Sequence, residues 1–216
     1  MDRLITTSDK PLLSKKQDLP SMFMVMQHFD DSHLSDPVAT LLAKLRKPQV
    51  IECLEQIKRG DRVAIGCSSR GISQMPLLLK ALVDCLRNRG ALPFLFPAMG
   101  SHGGGTVQGQ LAVLESYGIT EQKIGAPICA TMNTVCIGNT ADGQEVHLDA
   151  CAHRADHIVF MNRIKAHTAF EGPYESGLMK MLAIGMGKHT GARNCHRWGF
   201  DRMAEQVPLF AQVVLE

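Results

Sequence analysis

One alternation constrains this chain more than any other feature: a short apolar run, a loop, and an amphipathic stretch, repeated in succession. Residues 62–66 read as a buried strand, and residues 73–88 as a helix with apolar positions at i, i+3 and i+4. Residues 92–96 read as the next strand and residues 106–117 as the next helix. Strand, loop and helix in alternation is the pattern of a parallel sheet with helices packed on its faces. The predicted fold class is therefore α/β, with a parallel or mostly parallel sheet, helices on both faces, and a Rossmann-like organisation. In such sheets, ligands bind in the loops that follow the strands.

The flanking segments are less regular. Residues 22–27 read as a strand. Asp36 and Pro37 start a helix as its cap and first residue. Pro48 interrupts that helix, and a second amphipathic stretch runs to Lys58 before Arg59, Gly60 and Asp61 close it. Further on, residues 134–137 and 145–148 read as strands around the Asp142-Gly143 turn, and residues 157–161 as another buried strand. Residues 175–186 read as a helix, with Gly177, Gly185 and Gly187 permitting close approach, and residues 202–215 as a final helix.

Composition narrows the partners. A net charge of +2 is too small for a nucleic-acid surface, and one Trp and two Tyr leave few platforms for stacking bases. No apolar run reaches the roughly 18 residues that argue for a membrane span, and no apolar stretch behind Met1 forms a secretory signal. Neither nucleic acid nor membrane is an expected partner. The seven cysteines are odd in number and lack a C-x-x-C spacing, which predicts reduced thiols and a cytoplasmic location. The 216 residues make one large domain or somewhat more, and they stop at Glu216 within an apolar run.

Three loops carry the polar chemistry expected beyond the strands. The first holds Cys67, Ser68, Ser69, Arg70 and Gly71; the second runs from Met99 through Gly100, Ser101, His102, Gly103, Gly104 and Gly105 to Thr106. The third runs from Asn162 through Arg163, Lys165, His167 and Thr168 towards Lys180. The glycines of the second loop put bare amides at a helix N-terminus, where a phosphate is favoured. Alone, that loop reads equally as a flexible turn, and it matches neither the P-loop nor the dinucleotide fingerprint. His102 lies in it as a candidate proton acceptor or metal ligand. His167 has Arg163 and Lys165 beside it in sequence, cations that favour the neutral imidazole a general base requires. His28, His33, His147, His153 and His157 need only a polar surface to explain them, and His189 and His196 show no H-E-x-x-H zinc pattern.

The stretch Lys165 to Lys180, reading KAHTAFEGPYESGLMK, together with Gly100, Ser101, His102 and His196, resembles the nickel-dependent lactate racemase family. Members racemise or epimerise 2-hydroxy acids with a nickel-pincer nucleotide, a modified pyridinium mononucleotide tethered to a lysine and ligated through nickel by a histidine. The resemblance spans roughly residues 60–200 and implies the N-terminal, cofactor-binding half of such an enzyme. Residues 1–216 would then be a truncated N-terminal catalytic domain whose C-terminal domain lies outside this chain.

Residue by residue, the resemblance implies Lys180 as the tether and His196, sixteen positions on, as the nickel ligand. It implies His102 and His167 as the acid/base pair. Arg70, Gly100, Ser101, Gly103, Ser176 and Gly177 would contact cofactor or substrate. The implied partners are a small 2-hydroxy acid, the missing C-terminal domain and the cofactor-synthesis enzymes. Residues 67–71 lack the Asp and Pro of the usual Asp-x-Thr-Arg-Pro loop, and three additional residues separate His167 from Lys180. Gly103 stands where an Arg usually follows the first histidine. These departures point to a divergent subgroup whose substrate need not be lactate. Two other readings remain open: a nucleotide- or phosphate-binding domain without racemase activity, and a nicotinamide-dependent hydroxy-acid dehydrogenase.

Overall fold

The central strand, β1 (Arg62–Cys67), is apolar from its second residue onward because both of its faces are covered. The computed structural model describes residues 23–216. In it, β1 pairs in parallel with β2 (Leu92–Pro97) on one side and β5 (His157–Met161) on the other. Ala64 lies level with Phe94 and Ile158, and Ile65 with Leu95 and Val159. Successive side chains on a strand point to opposite faces, and the core divides accordingly. Val63, Ile65, Cys67 and Leu95 pack with Leu79, Leu82, Val83 and Leu86 of α3 (Met75–Asn88), Leu114 of α4 (Val107–Ser116) and Ile124 of α5 (Glu121–Ile124). Ala64, Phe94 and Phe96 pack with the helices that follow β5. The predicted parallel α/β sheet with helices on both faces is thus present.

Upstream lie α1 (Pro37–Leu45) and α2 (Pro48–Glu55), with Asp36 accepting from the Ala39 amide at 2.8 Å as the expected cap. Between β2 and β5 an antiparallel hairpin forms from β3 (Thr134–Asn139) and β4 (Glu145–Asp149). After β5 come α6 (Leu178–Lys180), a π-helical turn at Met181–Gly185, α7 (Lys188–Cys195) and α8 (Met203–Leu215). Leu34–Glu216 is one compact unit; residues 23–33 belong to a separate one and carry neither helix nor strand. The strand expected over 22–27 is therefore not formed at 23–27, and Met22 lies outside the described residues.

Two further expectations are corrected. The helix expected over 175–186 begins only at Leu178, because Gly177 (φ 77°) has a non-helical backbone and the Glu175 side chain binds other main-chain amides. The thiols are not all reduced: Cys129 is bonded to Cys151, leaving Cys53, Cys67, Cys85, Cys136 and Cys195 free. Ile128 bridges to Leu95 at the outer edge of β2, and that carries Cys129 towards the end of β4. The two cysteines are 22 residues apart, so no local spacing announces the pair.

Close approach across the sheet accounts for Gly66, where a β-carbon would overlap the ring of Phe160 on β5. Gly66→Ala is expected to destabilise the fold by about 1–3 kcal/mol, the usual cost of overpacking. Urea unfolding should show a lowered midpoint with an unchanged slope; an unchanged midpoint would mean that the ring moves aside at no cost.

Candidate active site

The loops that leave β1, β2 and β5 end on the same side of the sheet and enclose a cleft of about 680 Å³. Its walls carry Arg70 from the first loop, Ser101 and His102 from the second, and Arg163, Lys165 and His167 from the third. Ser176, Gly177 and Lys180 line it from α6 and the turn before it, and His196 from the end of α7. Eight of the ten residues singled out from sequence therefore meet at one cleft. Gly100 and Gly103 stand behind its wall. The Gly100 amide donates to the Gly185 carbonyl at 3.0 Å, and a β-carbon at Gly100 would meet Ile184 Cγ2 at 3.1 Å. A β-carbon at Gly103 would lie 2.6 Å from the Gln110 nitrogen. Glycine is required at both positions by left-handed backbones (φ 58° and 65°) and by packing. The α4 N-terminus is capped by Thr106, whose Oγ1 accepts from the Gly109 amide at 3.0 Å.

Each histidine is held differently. His102 Nδ1 is hydrogen-bonded to Ser69 Oγ, so Nε2 is its remaining polar atom. Partial burial holds the His102 pKa below the usual histidine value, and the charges of Arg70 and Lys180 lower it further. His167 Nδ1 accepts from the Ala169 amide at 3.1 Å, so the neutral ring carries its proton on Nε2. Its pKa is also lowered, by burial first and then by Lys180 and Lys165, with Glu175 opposing. His196 has the opposite tautomer. Its Nδ1 lies 2.6 Å from the Ala192 carbonyl and donates to it, which leaves an Nε2 lone pair. Phe170 and Phe200 gather the group: His167 is 4.4 Å from the Phe170 ring centre, His196 is 5.9 Å from that of Phe200, and Lys180 Nζ is 5.7 Å from that of Phe170.

The charge of the cleft is one-sided. Arg70, Arg163, Lys165 and Lys180 face a single lining carboxylate, Glu175. That carboxylate accepts from the His167 and Gly172 amides at 2.8 and 3.2 Å, and these bonds hold its pKa below the usual range. An anionic ligand suits such a cleft. Among the described residues, no three His, Cys, Asp or Glu side chains group as a metal cage.

The model of the lactate racemase N-terminal domain matches residues 17–206. The chain belongs to that family. No curated protein matches it. In this lactate racemase N-terminal domain, two residues to which the sequence assigns no role are Ser69, which binds His102, and Glu175, which orders the His167 loop. Neither has a signal in spacing or composition, because each acts through a partner distant in sequence or through the main chain. The Tyr117 hydroxyl fixes the Ser69 loop in turn, donating to the Ser69 carbonyl at 2.9 Å.

Lys180 has the environment of a reactive amine. Burial lowers its pKa from the usual 10.5, and the charges of Lys165 and Arg70 add to the shift. A lowered pKa means more neutral amine at a given pH, and the neutral amine is the nucleophile. Lys180 should therefore acylate at lower pH than the exposed lysines, and Lys165→Ala should move its profile towards higher pH. Peptide mass spectrometry after timed acetylation at stepped pH measures both; a Lys180 profile matching that of Lys80 would refute the expectation.

Proposed function

We propose that this chain is the cofactor-bearing half of a racemase or epimerase of a 2-hydroxy acid. The observation that carries the reading is the convergence of Lys180, His196, His102 and His167 on one cationic cleft beyond a parallel sheet. The residues present fit a nickel-pincer nucleotide. Lys180 offers a half-buried amine with a lowered pKa for a covalent tether, and His196, its Nδ1 committed to the Ala192 carbonyl, presents Nε2 as the atom for nickel. When bound, the group supplies an acceptor that takes a hydride from the substrate carbon and returns it.

The chain's own residues account for the rest. Arg70 offers a guanidinium for bidentate binding of the substrate carboxylate. Racemisation needs proton transfer to and from the substrate hydroxyl on two opposite sides, since the enantiomers present that hydroxyl oppositely. His102 has a lowered pKa, which favours its neutral form, and in the tautomer whose Nδ1–H donates to Ser69 Oγ its Nε2 takes the proton. His167 stands as the partner on the other side: its neutral ring holds a proton on Nε2 and donates a hydrogen bond to the substrate oxygen there, and it gives a proton only from its imidazolium form. In the reverse direction the two exchange roles. The exposed apolar side chains Ile164, Tyr174, Leu178, Trp198 and Phe200 lie on the loops and helices that build the cleft, and they suit a surface that a further domain covers. No helix among the described residues is long and apolar enough to cross a membrane.

Lys180→Ala is expected to abolish cofactor attachment. Intact-mass measurement after co-expression with the cofactor-synthesis enzymes checks it, and an adduct that persists in the variant would remove Lys180 from the role.

His102→Ala and His167→Ala are each expected to lower racemisation by at least about a hundredfold, the scale of acid/base catalysis, with nickel content unchanged. Chiral chromatography of a 2-hydroxy acid panel and elemental analysis read the two quantities separately. Loss of nickel in either variant would reassign that residue as a ligand.

A further inference from the structure

Behind the cleft lies a buried ion pair that the proposed chemistry does not use. Lys188 and Asp149 are both fully buried, with Lys188 Nζ 3.0 Å from Asp149 Oδ2. The ammonium also donates to the Pro97 carbonyl and, at 3.0 Å, to Gln110 Oε1. Asp149 Oδ1 accepts from the Cys151 and Ala152 amides at 2.7 and 3.0 Å. Lys188 has a left-handed backbone (φ 53°), a strained conformation for a residue with a side chain. Buried charges and backbone strain persist only where the surroundings over-determine them.

The chain of contacts continues into the active-site loop. Gln110, also fully buried on α4, accepts from Lys188 through Oε1, so its amide nitrogen faces the other way. That nitrogen donates to the Gly100 carbonyl at 2.9 Å and the His102 carbonyl at 3.3 Å. Asp149 at the end of β4, Lys188 at the start of α7 and Gln110 on α4 thus connect the hairpin and the helix bearing His196 to the backbone of His102.

We propose that Gln110, oriented by the Asp149–Lys188 pair, is a positioning residue for His102, fixing the carbonyls on either side of Ser101 so that the imidazole stays on Ser69. The ammonium dictates which end of the Gln110 amide faces the loop, because only Oε1 can accept from it. This inference rests on the acid/base reading of His102, and its test separates the two.

Gln110→Glu keeps an acceptor for Lys188 and removes both donors to the loop, so it breaks the positioning link while leaving the ammonium paired. Lys188→Met is the harsher companion. In the chain without cofactor, Gln110→Glu should unfold cooperatively at a lowered urea midpoint, since a carboxylate oxygen then faces two buried carbonyls, while the ¹⁵N signals of the His102 ring shift and those of His157, at the far end of the sheet, stay in place. In cofactor-loaded protein, kcat should fall about tenfold or more with KM changed less than about twofold, the signature of a misplaced catalytic group. Unchanged His102 signals in folded Gln110→Glu would overturn the proposal, and so would equal shifts at His102 and His157. If loaded wild-type protein racemises no 2-hydroxy acid, the functional reading fails, and the ring signals still decide whether Gln110 positions His102.

Discussion

The ammonium of Lys188 is the point on which the second half of the structure depends. It is fully buried, and it satisfies itself on a carboxylate, a main-chain carbonyl and a side-chain amide drawn from three different elements. Removing one partner of such a pair leaves an uncompensated buried charge, at a cost of about 3–5 kcal/mol. The β2 loop, the β4 end and the start of α7 are therefore held in one arrangement. Gly185 tightens the same junction, since its amide neighbourhood leaves only 2.9 Å between a notional β-carbon and the Ala98 carbonyl. The π-helical turn at Met181–Gly185 lies between this junction and Lys180, and π turns are frequent near functional sites.

On the open side of that junction, the electrostatics are arranged by bringing cations together and committing the acid elsewhere. Glu175 does not neutralise Lys165 or Lys180 by a direct ion pair; both its oxygens are bound to main-chain amides. The unbalanced positive charge and partial burial act in the same direction on His102, His167 and Lys180, each of which favours its neutral form more than it would in water. Neutral imidazoles and a neutral amine are the forms that general-base and nucleophile roles require.

The parts legible in the sequence are those governed by local pattern. The three strands around residues 62, 92 and 157 could be read because a strand covered on both faces is apolar throughout, and Asp36 and Pro37 because capping is a matter of adjacent residues. Reading failed where distant partners decide. The segment 175–177 reads as the start of a helix because the residues after it are apolar, but the Glu175 side chain binds the His167 amide and the Gly177 backbone is non-helical. Cys129 and Cys151 carry no spacing signal, since their pairing depends on the bridge from Ile128 to β2. Gly100 and Gly103 have the residue type of a phosphate cradle, yet their left-handed backbones serve the packing of the loop.

What the sequence by itself determined is the parallel α/β scaffold and the identity of the groups at the cleft, because strand burial and the motif around Lys180 are written in consecutive residues. What only the tertiary structure decided is the state of those groups. Which histidine nitrogen is free depends on Ser69, Ala169 and Ala192. The depressed pKa of Lys180 depends on burial and on charges from two other loops. The path from Asp149 through Lys188 to Gln110 joins residues up to 78 positions apart. Hydrogen bonds and desolvation act through space, so these properties exist only once the chain has folded.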